Sequence, residues 1–372
     1  MKFLFIIILL ITNPNFADSN EANESKILYN KILNTKGLFA KQKLGNSLGK
    51  LGINSEAYII KLFKDDNYWN RSAGVFASKE IDSININSSL INLYLDDHMT
   101  RWDSKKILLK EFSKYEIYII QKWEKETSLK KKKLILDVLE NSNSKKIYSI
   151  LKEEILNKSS KLRKDSYTTL AKIKNKDNDE FLRSYINDPI LKTHCLEYIV
   201  EKGNKNDKEL LKEIIYNDKA SSKERVISLS GIKKWGSFNE KKEIFETCLK
   251  SKDQSLIFYS INLLGEIRSG TIQNSLCNHS KNNKLQDIRI LSAENLIPYQ
   301  DPSNIKCIKR ISEEKYIRKS SKTTTGDVIV GIMSFGLSSI FKSINNNRKR
   351  NKFYSRQKKI KEHIKFLESM NE

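Results

Sequence analysis

Apolar residues in this chain return at helical spacing, and one stretch shows the pattern best. From Asp253 to Ile267 the sequence reads DQSLIFYSINLLGEI. Leu256, Tyr259, Leu263, Leu264 and Ile267 fall along one helix face, Asp253 stands where a starting cap belongs, and Gly265 lies near the end. With Leu256 as position 0, the small Ser260 is position 4 and Leu264 is position 8. There is no sustained apolar/polar alternation, and only 13 Gly and 4 Pro interrupt 372 residues. The pattern predicts an all-α chain.

The same helix recurs at intervals of about 30 residues, the signature of a repeat architecture. Position 8 falls at Leu48, Ala77, Leu108, Leu139, Leu170, Ile199, Trp235, Leu264 and Leu296, with spacings of 29, 31, 31, 31, 29, 36, 29 and 32. Position 4 falls at Leu44, Ala73, Ser104, Ile135, Ser166, Cys195, Gly231, Ser260 and Ser292. Small residues dominate that position, as a close helix crossing requires at one fixed point. Position 9 is glycine at Gly49, Gly236 and Gly265, and Asp66, Asp97, Asp188 and Asp253 stand three residues before position 0 as caps. Between successive first helices there is room for one more: Glu56 to Phe63, Lys145 to Ile155, Asp207 to Ile215 and Glu240 to Leu249 are examples. Each repeat therefore reads as a helical hairpin that buries its apolar stripe only by stacking on its neighbours.

At 372 residues the chain is either two or three compact domains or one extended array. An apolar content of 38% is low for a single globular core and suits an elongated array. The net charge of +23 points to acidic partners, or to an AT-rich coding sequence that favours Lys, Asn and Ile.

Both ends depart from the repeat pattern. Residues 1–17 carry Lys2, an apolar run from Phe3 to Ile11, a polar turn-prone segment and Ala17, the layout of a secretory signal peptide. Asn15 stands where a small residue is preferred, so an uncleaved anchor is the lesser alternative. A lead-in over residues 18–35 precedes the array at 36–319, and a linker at 320–327 follows it. The segment 328–341, VIVGIMSFGLSSIF, would make a helix of about 21 Å, short of a ~30 Å hydrocarbon core. Three readings stand for it: a short anchor, a segment lying in the membrane interface, or an apolar cap on the last repeat. Residues 342–372 form a basic tail with Phe353, Ile360, Ile364 and Leu367 along one face. Lys342, Arg348, Lys349, Arg350, Lys352, Arg356, Lys358, Lys359 and Lys361 are its candidate contacts to anionic lipid or an acidic partner.

The segments Asp188 to Asn204, Asp253 to Ile267 and Leu285 to Asp301 resemble HEAT repeats, in particular the short bacterial type also found in phycobilisome-lyase-like proteins. They share an Asp-Pro start at Asp188-Pro189, an apolar residue followed by Arg at Ile288-Arg289, small residues in mid-helix, and Leu-Gly. The resemblance covers roughly residues 36 to 312 and implies a right-handed α-α superhelix of about nine hairpins that binds other macromolecules. It does not imply an enzyme or a cofactor.

The chemistry-bearing residues give no catalytic constellation. His98, His194, His279 and His363 form no metal-ligand spacing. His194 and Cys195 are adjacent and project about 100° apart on a helix, so Cys195 reads as a buried thiol. Cys248, Cys277 and Cys307 recur at matching places in successive second helices. With 8–10 Å between packed helices they read as three small core residues, although export would permit oxidation. Gly45 to Lys50 has the wrong spacing for a phosphate loop, and Lys130 to Lys133 reads as a solvated face. Trp69, Trp102 and Trp123 alternate with Arg71, Arg101 and Lys122, as in nucleic-acid binders or as buried rings beside exposed charge.

The resulting expectation is an exported, non-catalytic scaffold or adaptor in the periplasm or cell envelope. It would bind a protein partner, with its basic tail near anionic lipid. The alternative is polyanion or nucleic-acid binding on a basic concave face, as in HEAT-like DNA alkylation-repair glycosylases, which an export signal disfavours. A lyase-like enzyme is the least supported reading.

Overall fold

The computed structural model describes residues 18–142, 144–173, 175–317 and 346–370, and among these every regular element is helical. The expected signal peptide, the linker at 320–327 and the apolar segment at 328–341 lie outside the described residues. Nine first helices follow the repeat spacing. They are α2 (Leu38–Gly49), α4 (Tyr68–Ser78), α6 (Arg101–Lys110), α8 (Leu129–Leu139), α10 (Arg163–Lys172), α12 (Lys192–Lys202), α14 (Ser222–Trp235), α16 (Gln254–Leu264) and α18 (Gln286–Leu296). The second helices are α3 (Glu56–Phe63), α5 (Ile84–Asp96), α7 (Phe112–Lys125), α9 (Lys145–Leu156), α11 (Asp179–Arg183), α13 (Lys208–Tyr216), α15 (Phe238–Leu249), α17 (Gly270–Asn282) and α19 (Ile305–Glu313). A helix precedes the series, α1 (Asp18–Asn34), and another follows it, α20 (Asn346–Ser369).

The chain divides into two compact units, Met1–Asn178 and Asp179–Glu372, a boundary that the repeat spacing did not indicate. It falls between α10 and the five-residue α11, the shortest of the second helices. Within the N-terminal unit first helices stack on first helices, α2 on α4, α4 on α6, α6 on α8 and α8 on α10, while α3 packs on α5 and α5 on α7. Within the C-terminal unit α12, α14, α16 and α18 stack in order, with α15 on α17 and α17 on α19. This is helical-repeat packing of the solenoid kind, in which each hairpin covers the stripe of the next.

Eight of the nine position-8 residues are buried, among them Leu48, Leu170, Leu264 and Leu296 at 0% exposure. Burying each leucine fully contributes about 1.5–3 kcal/mol. Trp235 is the exception and the register there needs correction. It is half-exposed in the last turn of α14, whereas Ile232 is fully buried. The cap explains why. Asp253 caps α16 eleven residues before Leu264, and Ser221 caps α14 eleven residues before Ile232. Position 4 is then Ser228, which is fully buried, and the spacings from Ile199 to Leu264 become 33 and 32. Leu44 is likewise half-exposed, because the crossing point of α2 is Gly45. A Cβ at Gly45 or Gly49 would lie 2.1 or 2.3 Å from the carbonyl oxygen of Ala73 or Ala77, so only glycine admits this approach.

Three of the four aspartates expected as caps bond backbone amides at the start of a repeat. Asp253 accepts from Ser255 and Leu256, Asp188 from Ile190 and Leu191, and Asp97 from Met99. Asp66 does not cap α4: Asn67 does, accepting from the Trp69 amide.

Two flanking helices close the series. α1 packs on α2, and α20 packs on both α18 and α19. Phe353, Ile360, Ile364 and Leu367 of α20 are buried, as their common face predicts. Gln357 donates to the carbonyls of Ile311 and Glu314 at 3.0 and 2.8 Å, satisfying the end of α19. A stack of hairpins requires such covers on its end surfaces.

Candidate functional site

Part of the positive charge is committed inside the fold. Position 1 is basic in seven of the nine first helices, and five of these cations are Lys41, Arg101, Arg163, Arg225 and Arg289. Each of the five reaches back to carbonyls at the end of the preceding helix. Arg101 donates to Tyr94 and Leu95 at 3.0 and 3.2 Å, Arg163 to Ile155 at 2.6 Å, and Arg225 to Ile215 at 2.9 Å. Arg289 donates to Asn283 at 2.7 Å and pairs with Glu314 at 2.6 Å. Lys41, 2% exposed, donates to Ile32, to Leu33 at 3.1 Å and to the Asn70 amide oxygen at 2.5 Å. Burial pulls the Lys41 ammonium below its ordinary value, and nearby Asp65 offsets part of that. A cation at a helix C-terminus meets both unsatisfied carbonyls and the negative end of the dipole, so the repeated Arg is an internal fastener.

The other basic motifs resolve in the same way. Of Lys130 to Lys133, Lys131 pairs with Asp96 at 2.5 Å, Lys133 pairs with Asp165 at 3.0 Å, and Lys132 lies over the Trp123 ring at 4.7 Å. The run therefore ties its hairpin to the neighbours on both sides. Beside the tryptophans, Arg71 pairs with Asp97 at 2.6 Å and donates to the carbonyls of Asp65 and Asp66. Burial pushes the Asp97 carboxyl up, but hydrogen bonds from Arg71, Thr100 and Met99 outweigh it and hold the group below its usual range. Lys122 pairs with Glu126 at 3.7 Å, and Trp123 is buried. Trp123 therefore offers no stacking surface.

Cysteine pairing corrects the sequence expectation. Cys277 of α17 and Cys307 of α19 form a disulfide with their Cα atoms 5.1 Å apart. The 8–10 Å spacing holds between helix axes, and residues that face each other across the contact lie closer by nearly two helix radii. Cys248, the third of the series, stays a thiol that burial pushes up to about 12. Cys195 is buried with its sulfur 3.6 Å from the Arg183 carbonyl, and His194 points to Glu197 at 3.5 Å.

His279 sits in a polar cleft of about 450 Å³ in the C-terminal unit, lined also by Lys252, Gln254, Asn278, Asn282, Asn283 and Lys284. Its Nε2 lies 2.7 Å from the Leu249 carbonyl and must donate, so Nδ1 accepts from the Asn283 amide at 3.2 Å. Nε2 thereby ties α17 to α15, and Nδ1 is occupied by the residue that ends its own helix. Among the described residues no three His, Cys, Asp or Glu side chains gather as a metal site, and no helix is long and apolar enough to cross a membrane.

The nine tail cations separate into three groups. Lys342 lies outside the described residues, and Arg348 and Lys349 belong to the first turn of α20. Arg356 is not a surface contact: it is 15% exposed and pairs with Glu294 of α18 at 2.7 Å, fastening α20 in place. Arg350, Lys352, Lys358, Lys359 and Lys361 are exposed.

One surface was not foreseen. In the N-terminal unit, large apolar side chains stand exposed at the starts of successive first helices: Phe39 (84% exposed) on α2, Met99 and Trp102 (76%) at α6, and Leu129 on α8. Trp69 occupies the matching end of α4, half-exposed. Phe39, Met99, Trp102 and Leu129 precede or flank position 0, which Trp69 itself occupies, and that offset from the stacked stripe is the sequence signal that could have revealed the four. No family model matches this chain, and no curated protein is similar to it.

Proposed function

We propose that this chain is an exported, non-catalytic, HEAT-like scaffold that binds a protein partner in the cell envelope through the apolar edge of its N-terminal unit. The observation that carries this is the exposed row of Phe39, Met99, Trp102 and Leu129 at the starts of α2, α6 and α8. Aromatic side chains and methionine are the residue types enriched in buried interface centres, and rigid helix ends hold them without loop entropy to lose. The Cys277–Cys307 disulfide supports the export half of the proposal, since such bonds persist in oxidising compartments. The polyanion reading has less support, because the capping arginines and the lysines of Lys131 to Lys133 already have partners within the fold.

The test compares affinity capture from envelope extracts by the native chain and by a Phe39→Ser/Trp102→Ser variant of equal melting temperature. A partner held by the first and released by the second is the expected result. Capture that survives both substitutions would place the partner elsewhere. N-terminal sequencing of the protein recovered from the producing cells tests export, with removal of residues 1–17 expected.

A further inference from the structure

We infer that the outer face of α20 binds the surface of an anionic lipid bilayer by charge while its inner face stays docked on α18 and α19. The inner face is fully used. Phe353, Ile360, Ile364 and Leu367 are buried, Gln357 bonds the carbonyls of Ile311 and Glu314 at the end of α19, and Arg356 pairs with Glu294. A helix held in this way does not present its apolar stripe to lipid, so insertion is not its mode.

What it presents is mostly positive charge. Arg350, Lys352, Lys358, Lys359, Lys361 and Lys365 are exposed along the helix, against two exposed acids, Glu362 and Glu368. Lys359 reaches Glu294 only at 3.4 Å and stays 62% exposed, and the Lys358–Glu362 pair is loose at 3.9 Å and exposed on both sides. The ammonium of Lys352 is held below its ordinary value, first by the charge of neighbouring Arg356 and then by burial, so the cations here repel one another. An anionic surface relieves that repulsion. From Arg350 to Lys365 the helix runs about 22 Å in a straight line, long enough to meet several headgroups at once. Tyr354, 39% exposed, lies on the accessible side, and a tyrosine ring favours the headgroup layer. Juxtaposed lysines and arginines each add to the attraction of an anionic leaflet.

The choice of bilayer over nucleic acid rests on the export half of the proposed function, and the experiment is independent of the protein partner. Full-length chain is sedimented with vesicles of phosphatidylcholine alone and of phosphatidylcholine with phosphatidylglycerol, at low and high salt. Binding is expected only to the anionic vesicles and is lost at high salt. The variant K358E/K361E/K365E, at an unchanged melting temperature, is expected to bind at least about 100-fold more weakly. Equal binding to neutral vesicles would overturn the inference, because it would point to apolar insertion. So would an unchanged affinity of the variant, or tighter binding to a DNA or RNA oligonucleotide than to anionic vesicles.

Discussion

The guanidinium Nε of Arg225 donates to the carbonyl oxygen of Ile215 at 2.9 Å, joining the start of α14 to the end of α13. The contact repeats in kind at Arg101, Arg163 and Arg289, so each of these hairpins carries a cation that closes the helix before it. Arg225 is 9% exposed, and its neighbour Asp218 is almost wholly exposed at 3.6 Å, so the carbonyl bond is the substantial one. Replacing Arg225 by Met keeps the aliphatic stem and removes the donor. The expected loss is about 1–2 kcal/mol, read by urea denaturation. Faster amide exchange in the last turn of α13 should accompany it, and unchanged exchange there would mean that the cap is not needed.

The corrected register separates two neighbouring residues by cost. Ile232 is fully buried, so Ile232→Ala should destabilise the C-terminal unit by about 2–4 kcal/mol. Trp235 is half-exposed with the Lys234 ammonium 4.9 Å above its ring, so Trp235→Ala should cost no more than about 1 kcal/mol. Denaturation midpoints in the opposite order would restore Trp235 as the anchor.

Ser260 is the small residue at the crossing point of α16. It is fully buried and its hydroxyl bonds the Ile257 carbonyl at 2.9 Å. Ser260→Leu should overpack the contact with α14 or α18 and cost about 1–3 kcal/mol. Ser260→Ala, which removes only the hydroxyl, should cost less than Ser260→Leu. A melting temperature unaffected by leucine would contradict the packing.

What the sequence made legible follows from what periodicity can report. Leu256, Ser260 and Leu264 announced themselves because burial repeats at helical spacing, and the second helices Glu56 to Phe63 and Lys145 to Ile155 emerged almost at their observed ends. Trp235 misled because Trp-Gly imitates the Leu-Gly ending, whereas the cap at Ser221 carries the true register. The disulfide was missed because spacing between axes says nothing of which side chains face each other. Phe39 and Trp102 were missed because an apolar residue in a helical pattern is read as core by default. The boundary after Asn178 has no composition change to mark it. The helix-capping role of Arg289 lay in plain view in the Ile-Arg signature, but a carbonyl partner is chosen by folding and has no spelling in the chain.

The Cys277–Cys307 bond closes a loop that includes the end of α17 and all of α18. Reduction, or the double change Cys277→Ser/Cys307→Ser, should lower the stability of the C-terminal unit by about 2–4 kcal/mol. Melting with and without reductant measures it, and the double variant should be indifferent to reductant. Cys248→Ser should leave the sensitivity to reductant intact, since that thiol is outside the bond. Insensitivity of the native chain to reductant would show that the bond does not form.

His363 links the docking of α20 to pH. Its ring is 8% exposed, lies 6.1 Å from the Phe366 ring in a stacked arrangement, and leaves Nε2 without a hydrogen-bond partner among the described residues. Burial holds its pKa below the ordinary 6.5, because the interior disfavours the imidazolium. The undocked helix would titrate near 6.5 and the docked one lower, so protons bind more readily once α20 is released. Docking is therefore at full strength above about pH 6.5 and weakens as pH falls through the lower, docked value. Limited proteolysis of α20 at neutral and mildly acidic pH is the measurement, with faster cleavage expected on the acid side. His363→Phe should remove the acid-side acceleration while keeping the ring packing, whereas His363→Ala should loosen α20 at every pH. If native and His363→Phe chains respond to pH alike, another group controls the release.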